Sequence, residues 1–291
     1  MPTLPIVLAH GIARFDFLLN NFVQQSARFG FHLDMPTDGV HYFKGIARHL
    51  RDQGFTVEHT SVSFAAGVER RAADLKREVE RVLRTHNAPQ VHIIGHSMGG
   101  LDARHMIVNL QMADRVASLT TIGTPHDGSP VARWVLEHEG AELVTLLRRV
   151  LDLGGGADLT AEACQQFNAA AEVAEAENNV RYQTWASAEP QGRVLGPLQG
   201  GWKIIKDSGA AQNDGLVAFA SQQWRGTLRR RDGTTKTVTQ RQFPVPADHA
   251  NEIGWWDIHE LQPLDLLNPI KAARAYELSI RNVYLEIARG L

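Results

Sequence analysis

Apolar positions along the chain follow two alternating patterns. Short apolar or period-two runs predict β-strands, and longer runs with apolar residues three and four apart predict amphipathic helices. The predicted strands lie at 5–9, 55–61, 91–94, 116–123, 181–187 and 215–220. The predicted helices lie at 43–53, 68–85, 98–110 and 269–290. This alternation is typical of an α/β domain with a mainly parallel sheet flanked by helices.

The stretch 126–178 interrupts this alternation because it has helical spacing and contains no strand-like run. One apolar stripe contains Val131, Trp134 and Val135, and a second runs through 143–151. We interpret the stretch as a helical cap or lid inserted into a single α/β domain that spans 1–291. Two ordinary core helices would explain the same periodicity equally well. A further segment, 224–243, has a polar turn at 231–234 and predicts a β-hairpin.

Composition narrows the class of protein. The chain has 291 residues and a net charge of −2, with 43% hydrophobic and 21% charged residues, which is ordinary for a globular protein and gives no sign of nucleic-acid binding. The single cysteine, Cys164, rules out an intrachain disulfide. No apolar run is long enough to span a bilayer, and no signal peptide is recognisable. The sequence therefore fits either a cytoplasmic protein or a secreted mature form.

The clearest chemical signal is GHSMG at 95–99, a G-x-S-x-G pattern where a β-branched strand runs into a helix. A nucleophile elbow needs this position, because a tight strand-to-helix turn lifts the serine oxygen clear of the sheet. The helix N-terminus beside it favours developing negative charge. Ser97 is therefore the candidate nucleophile. The alternative is a glycine-rich turn whose serine has no chemical task.

Acyl transfer also needs backbone N–H donors for the oxyanion. In this architecture, one comes from the residue after the nucleophile and one from a loop after an early strand. Met98 and Ile12 are the corresponding candidates, and Gly11 would allow the early loop to approach closely. A His-Gly pair at a strand end is weak evidence when taken alone.

A base and an orienting acid should follow the serine in the order Ser, Asp or Glu, His. The histidines after Ser97 are His105, His126, His138, His249 and His259. The first three come too early or lie within a helix, which leaves His249, with His259 as the second choice.

Asp214, in the loop sequence NDG, is the candidate acid. Its alternative is a solvated turn carboxylate. Asp248 is a poor orienter of its neighbour His249, and Asp207 and Asp232 lie in polar loops.

Five blocks together carry a family resemblance: PIVLAHG (5–11), GHSMGG (95–100), TIGTPHDGS (121–129), QNDGLV (212–217) and DHANEI (248–253). In these blocks the chain resembles the bacterial triacylglycerol lipases of the α/β-hydrolase superfamily. The resemblance implies Ser97 as nucleophile, Asp214 as acid and His249 as base. It also implies Ile12 and Met98 as oxyanion donors and a mobile lid at 126–178.

The sequence departs from that family at several places. Many of these lipases bind calcium near the catalytic histidine, partly through an aspartate two residues after it, where this chain has Asn251. An amide oxygen can bind calcium but brings no charge, and 186–207 offers no obvious second aspartate. We therefore expect no required cofactor and leave calcium in question. Secreted members often have a disulfide, which this chain cannot form. Segments 20–41 and 224–243 look like additions.

The sequence thus predicts a serine hydrolase that cleaves carboxylic esters of apolar acyl chains through an acyl-enzyme on Ser97. Its expected partner is a lipid or small ester, with lid opening at an oil–water interface. Competing hypotheses are a short-chain carboxylesterase with a fixed cap, an acyltransferase or thioesterase on the same triad, and a non-catalytic binding module. A metal hydrolase fits less well, because His92 and His96 lack the spacing of helical metal ligands.

Overall fold

The structure, a computed structural model, describes residues 4–11, 42–63, 66–138, 141–142, 144, 153–255 and 269–291. Within them, seven strands form one sheet in the order β2-β1-β3-β4-β5-β7-β6. The strands are β1 (Ile6–Ala9), β2 (Val57–His59), β3 (Val91–His96), β4 (Val116–Ile122), β5 (Arg181–Ala186), β6 (Thr227–Arg229) and β7 (Thr235–Gln242). All neighbouring pairs are parallel except β6 and β7. The predicted mainly parallel α/β sheet is confirmed.

Eight α-helices accompany these strands in the described part of the chain. They are α1 (Ile46–Asp52), α2 (Val68–Thr85), α3 (Met98–Asn109), α4 (Pro130–Glu137), α5 (Ala161–Glu177), α6 (Gln199–Asp207), α7 (Phe219–Gln222) and α8 (Pro269–Arg289). None of them is long and apolar enough to cross a bilayer.

The two faces of the sheet are covered by separate apolar layers. Side chains alternate across a strand, so Ile6 and Leu8 of β1 join one apolar cluster while Val7 and Ala9 join the other. The first cluster includes residues of α1 and α8, and the second includes residues of α2 and α3. A strand with both faces covered is shielded from solvent, and β1 and β3 are accordingly buried along their whole length.

The strand predicted at 215–220 is wrong. This segment forms a loop that leads into α7, with a single bridge between Asn213 and Ala218. Side chains compete there with a strand ladder: Asn213 Oδ1 accepts the Gly215 N–H, and Asp214 Oδ1 accepts from the next two N–H groups. Gly215 also has φ of +94°, outside the extended region.

The segment 224–243 forms the predicted hairpin, but it is part of the main sheet. Strand β7 lies parallel to β5, and β6 pairs antiparallel with β7 at the edge. The hairpin therefore supplies the strand that lies next to β5.

The stretch 126–178 contains α4, a 3₁₀ segment at Leu153–Leu159, and α5. The absence of strands is confirmed for its described residues. The proposed insertion at 20–41 lies outside the described residues.

Candidate active site

Ser97 lies at the sharp turn between β3 and α3, as the sequence predicted. Its φ and ψ are +55° and −132°, a conformation that a non-glycine residue rarely adopts. The flanking glycines are needed for close contact. A Cβ on Gly95 would lie 2.9 Å from Gly100 Cα, and one on Gly99 would collide with the backbone oxygens of Ala9 and His10. The turn is therefore packed so tightly against β1 and α3 that only glycine fits on either side of the serine.

Asp214 and His249 are brought together from loops 35 residues apart. His249 Nδ1 lies 2.8 Å from Asp214 Oδ2, and the His249 backbone N–H donates to the Asp214 carbonyl at 2.9 Å. Because the carboxylate oxygen accepts the Nδ1 proton, Nε2 of the neutral ring keeps its lone pair. This is the tautomer that a general base requires.

Four donors surround the Asp214 carboxylate, which is fully buried. Oδ1 accepts from the backbone N–H groups of Leu216 and Val217, at 2.8 and 2.7 Å. Oδ2 accepts from Gln222 Nε2 at 3.0 Å as well as from His249. A group that accepts four hydrogen bonds and donates none is an ionised carboxylate.

Ser97 and His249 line the same cavity. The rest of its wall is almost entirely apolar and consists of Pro125, Ser129, Val131, Ala132, Val135, Gly156, Leu159, Leu216 and Val217. Part of this wall belongs to α4, from the stretch predicted to form the cap. The hydroxyl and the imidazole therefore face a space suited to an apolar ligand.

Of the two predicted oxyanion donors, only Met98 lies among the residues that the structure describes. Met98 is the first residue of α3, where N–H groups have no partner within the helix. Ile12 lies outside the described residues. Its neighbour Gly11 passes very close to the nucleophile, since a Cβ there would lie 2.7 Å from Ser97 Cβ. The expected close approach of this loop is therefore present.

With this geometry established, similarity to known proteins decides the family. The model of the alpha/beta hydrolase fold family matches residues 5–247. A triacylglycerol lipase from Vibrio cholerae serotype O1 is 33% identical over 256 residues, which cover 77% of this chain and 75% of the lipase. The chain belongs to the lipases of the alpha/beta hydrolase fold family. The predicted fold and the predicted class, a carboxylic ester hydrolase, are confirmed.

The family extends beyond bacteria. Triacylglycerol lipase 2 from Saccharomyces cerevisiae is 29% identical over 262 residues, 79% of each chain. The solved structure of lipase 1 from Pelosinus fermentans has a TM-score of 0.61 at 14% identity and covers 99% of both chains. That similarity concerns the fold of the enzyme.

A second carboxylate beside the histidine was missed by sequence reasoning. Glu252 Oε2 lies 3.6 Å from His249 Nδ1 and 2.8 Å from His96 Nε2, and its side chain is fully buried. The tilted rings of His96 and His249 lie 4.5 Å apart between centroids. The only signal in the sequence was the placement of Glu252 three residues after His249, and that spacing by itself indicates no role.

Hydrogen bonding indicates that Glu252 is protonated. Burial, reinforced by the charge of Asp214, raises its pKa well above the usual value. The single Ser187 hydroxyl proton has two acceptors in reach, the Ala247 carbonyl at 2.8 Å and Glu252 Oε1 at 2.6 Å. A protonated Glu252 resolves the conflict: it donates to Ser187, which then donates to Ala247.

His96 completes this network as a neutral ring. Burial lowers its pKa well below the ordinary value, and the neighbouring His249 adds to the effect. The Tyr42 hydroxyl lies 2.7 Å from its Nδ1, and burial raises the pKa of that phenol, which therefore remains a donor. His96 Nε2–H then donates to Glu252 Oε2.

The residues at the family's calcium position do not form an oxygen cradle. Asp248 accepts hydrogen bonds from the backbone N–H groups of Leu195, Ala250 and Asn251. Asn251 Oδ1 accepts from the Asp248 N–H at 2.9 Å and lies 3.1 Å from the Tyr276 hydroxyl. Calcium prefers six to eight oxygen ligands around one point. These oxygens point at protein donors instead, so they do not fit the ion in this arrangement.

A different set of side chains that could bind a metal ion lies around the catalytic histidine candidate. His96, His249 and Glu252 offer ligand atoms that lie within 4.8 Å of one another. Each of the three is already hydrogen-bonded within the network described above. His92, the other histidine of β3, lies apart and bonds to Ser118 Oγ at 2.7 Å.

The remaining candidates from the sequence have structural contacts elsewhere. His105 stacks on Phe167 with centroids 3.8 Å apart, His126 stacks on Trp224, and His138 stacks on Trp134 at the end of α4. Asp207 pairs with Lys203, and Asp232 caps its own hairpin turn. His259, the second choice for the base, lies outside the described residues.

Proposed function

We propose that this protein is a serine lipase that hydrolyses carboxylic esters with apolar acyl chains through an acyl-enzyme on Ser97. One observation carries the proposal: Ser97 and His249 line a single apolar cavity while His249 Nδ1 is hydrogen-bonded to Asp214. A hydroxyl, a base and an orienting acid are thus combined with a wall that favours hydrocarbon.

In the proposed reaction, His249 Nε2 removes the Ser97 proton as the serine oxygen attacks the ester carbonyl. Asp214 holds the ring and stabilises the imidazolium that forms. The N–H of Met98, with that of Ile12, donates to the oxyanion. The tetrahedral intermediate then collapses, His249 returns the proton to the leaving alcohol, and water hydrolyses the acyl-enzyme with the same base. None of these steps requires a cofactor.

The proposal extends to the stretch 126–178 as a cap over the site. Helix α4 supplies cavity-lining residues on one side, while Leu136 is 46% exposed on the same helix. An exposed leucine beside an ester site favours contact with a lipid surface. Helix α5 is anchored to the α/β core at two points. Glu175 forms a buried ion pair with Arg104 of α3, and Asn168 donates to the His126 carbonyl. We therefore assign any lid motion to α4 and not to α5.

The test combines a chain-length series with labelling of the nucleophile. Initial rates are measured on p-nitrophenyl esters from acetate to palmitate and on a triacylglycerol emulsion. We expect activity on long chains and on the emulsion, stoichiometric labelling of Ser97 by a fluorophosphonate, and neither in Ser97→Ala. The matched control is Ser208→Ala, at an exposed serine, which should behave like the wild type. Rates confined to short esters would identify an esterase, and undiminished activity of Ser97→Ala would refute the mechanism.

Calcium and acyl transfer are tested in the same assay. Because the oxygens around Asp248 and Asn251 are engaged by protein donors, we expect equal rates with a chelator and with added calcium. Adding an alcohol acceptor distinguishes hydrolysis from transfer, and we expect free fatty acid as the main product. A chelator-dependent loss of rate would contradict the first expectation, and a predominant acylated alcohol would contradict the second.

A further inference from the structure

The residue before the proposed base, Asp248, is completely buried, and its carboxylate faces backbone N–H groups. Its Oδ1 accepts from the N–H groups of Ala250 and Asn251, at 2.8 and 2.9 Å, and so closes the turn of the base loop, 248–253. Its Oδ2 accepts from the N–H of Leu195 at 2.6 Å, across a sequence separation of 53 residues. One oxygen therefore shapes the base loop from within, and the other ties this loop to a distant segment of the chain.

That distant segment packs against the acid loop, 213–217. The Glu189 N–H donates to the Asn213 carbonyl at 3.1 Å. A Cβ on Gly215 would lie 3.0 Å from Val194 Cγ1, so the two stretches are in close contact. The segment therefore joins the acid loop to the base loop.

The two loops are also joined directly, because the His249 backbone N–H donates to the Asp214 carbonyl at 2.9 Å. A single hydrogen bond fixes one distance and leaves rotation about it free. The Asp248 carboxylate adds a second attachment one residue away, which removes that freedom. The 2.8 Å contact between His249 Nδ1 and Asp214 Oδ2 depends on such control, since a hydrogen bond weakens as its angle departs from linear.

A carboxylate is a costly side chain to bury at this position. Burial raises the pKa of Asp248 to about 6, and the charge of Asp214 adds to the effect, while the three N–H donors oppose it. An apolar side chain would fill the space without this cost. The feature that an apolar side chain cannot supply is an acceptor for three N–H groups, one of which belongs to another segment.

We propose that Asp248 is a positioning residue for the catalytic pair: its hydrogen bond to the Leu195 N–H holds the base loop at the angle at which the His249 ring meets Asp214. The proposal rests on the acyl-enzyme mechanism proposed above. It predicts that loss of this hydrogen bond lowers turnover more than it changes substrate binding, because the alignment of the pair acts on proton transfer.

The first test variant, Asp248→Asn, breaks the link and preserves the turn. The amide oxygen still accepts from the two N–H groups of the turn, and the NH₂ then faces the Leu195 N–H, donor against donor. The matched control is Asp74→Asn, at another buried carboxylate that accepts a backbone N–H, that of Ser63. It makes the same chemical change outside both loops.

The second variant, Leu195→Pro, breaks the same hydrogen bond from the other side and leaves the charge of Asp248 in place. Proline has no N–H, and its ring occupies the place of that hydrogen. The backbone is compatible with the change, because φ at 195 is −44°, near the roughly −65° of proline, and Val194 is extended, as the residue before a proline should be. Leu195→Ala is the control, since it loses the buried side chain and keeps the N–H.

All four variants are measured at pH 8, above the pKa of Asp248. The readouts are kcat and KM on p-nitrophenyl butyrate, the rate at which a fluorophosphonate labels Ser97, and urea unfolding. Proton NMR of the His249 Nδ1–H reports the ring hydrogen bond itself, which a change in stability alone does not alter.

We expect kcat to fall about 10- to 100-fold in Asp248→Asn and in Leu195→Pro, with KM within about threefold and labelling slowed in parallel. The Nδ1–H signal should be shifted or broadened in both. The two controls should keep the wild-type signal and kcat within about threefold of the wild type.

Wild-type kcat or an unchanged Nδ1–H signal in Asp248→Asn would overturn the proposal, as would an equal loss in Asp74→Asn. A loss in Asp248→Asn with none in folded Leu195→Pro would also overturn it, because the charge and not the hydrogen bond would then matter. If Leu195→Pro does not fold, the comparison of Asp248→Asn with Asp74→Asn decides. If the wild type itself is not labelled at Ser97, the mechanism fails first, whereas labelled wild type with unaffected variants refutes only the positioning role.

Discussion

Two buried carboxylates flank His249, and they differ in almost every respect. Asp214 lies in a loop where four donors converge on it, and it bonds directly to Nδ1 at 2.8 Å. Glu252 lies on a 3₁₀ turn, 3.6 Å from the same nitrogen, and its two oxygens contact His96 and Ser187. One residue is surrounded by N–H donors, and the other has a neutral ring and a hydroxyl as partners.

The difference shows how a site can place two acids beside one base without two negative charges. A negative charge on Asp214 raises the pKa of Glu252 and so disfavours ionisation of both carboxyls. The donors around Asp214 stabilise its charge, and that charge helps to keep Glu252 protonated. Asp214 is then suited to stabilise an imidazolium, while Glu252 fixes the position of His96 beneath the His249 ring. The predictions below test this division.

The largest effect should come from Asp214→Asn. The backbone N–H groups of Leu216 and Val217 hold the amide oxygen at the Oδ1 position, so the NH₂ faces His249 Nδ1. This NH₂ favours the wrong tautomer and does not stabilise an imidazolium, so we expect kcat to fall by on the order of 10⁴-fold. Steady-state rates on p-nitrophenyl butyrate measure the loss, and circular dichroism checks that the fold is retained. Asp232→Asn, at an exposed hairpin carboxylate, should have no effect. A loss below about tenfold would mean that Glu252 is the operative acid.

Removing the second carboxyl should affect stability first. In Glu252→Leu the buried His96 Nε2–H loses its acceptor, and an unpaired buried donor costs about 1–3 kcal/mol. Urea unfolding measures the free energy of unfolding, with Glu286→Leu at an exposed position of α8 as control. An unchanged midpoint for Glu252→Leu would contradict the hydrogen bond to His96.

Replacing Glu252 with its amide should have little effect on turnover. Glutamine has the hydrogen-bonding pattern of a protonated carboxyl: its NH₂ donates to Ser187 and its oxygen accepts from His96. We expect kcat of Glu252→Gln within about threefold of the wild type. A loss approaching that of Asp214→Asn would show instead that Glu252 acts as a carboxylate.

The same variant makes the protonation state measurable through pH. An unfolded glutamate ionises near its ordinary pKa of about 4, while the folded Glu252 retains its proton. The folded state thus binds more protons above that pH, and wild-type stability falls as pH rises until the folded carboxyl ionises as well.

Glutamine does not titrate, so Glu252→Gln should gain stability relative to the wild type by up to about 1.4 kcal/mol per pH unit above pH 4. Urea unfolding from pH 5 to pH 8 measures this difference, and Glu286→Gln should show none. A difference that does not change with pH would mean that Glu252 ionises normally.

Local sequence determined a large part of this protein. The apolar periodicities predicted β1 to β5 and the long helices to within a few residues. They could do so because burial of one face or of both faces of an element determines the spacing of its apolar residues. The GHSMG turn followed for a similar reason: Gly95 and Gly99 are required by contacts within the strand–turn–helix unit itself. The family resemblance rested on such local blocks.

Tertiary structure decided what lies between distant segments. The loop at 213–217 is no strand because Asn213 and Asp214 bond to their own backbone, and β7 takes the place beside β5. The pairing of Asp214 with His249, the protonated Glu252 and the link from Asp248 to Leu195 all depend on groups that meet only when the sheet has assembled. Periodicity reports the face on which a residue lies, whereas the charge state of a buried group is set by neighbours that the chain brings from elsewhere.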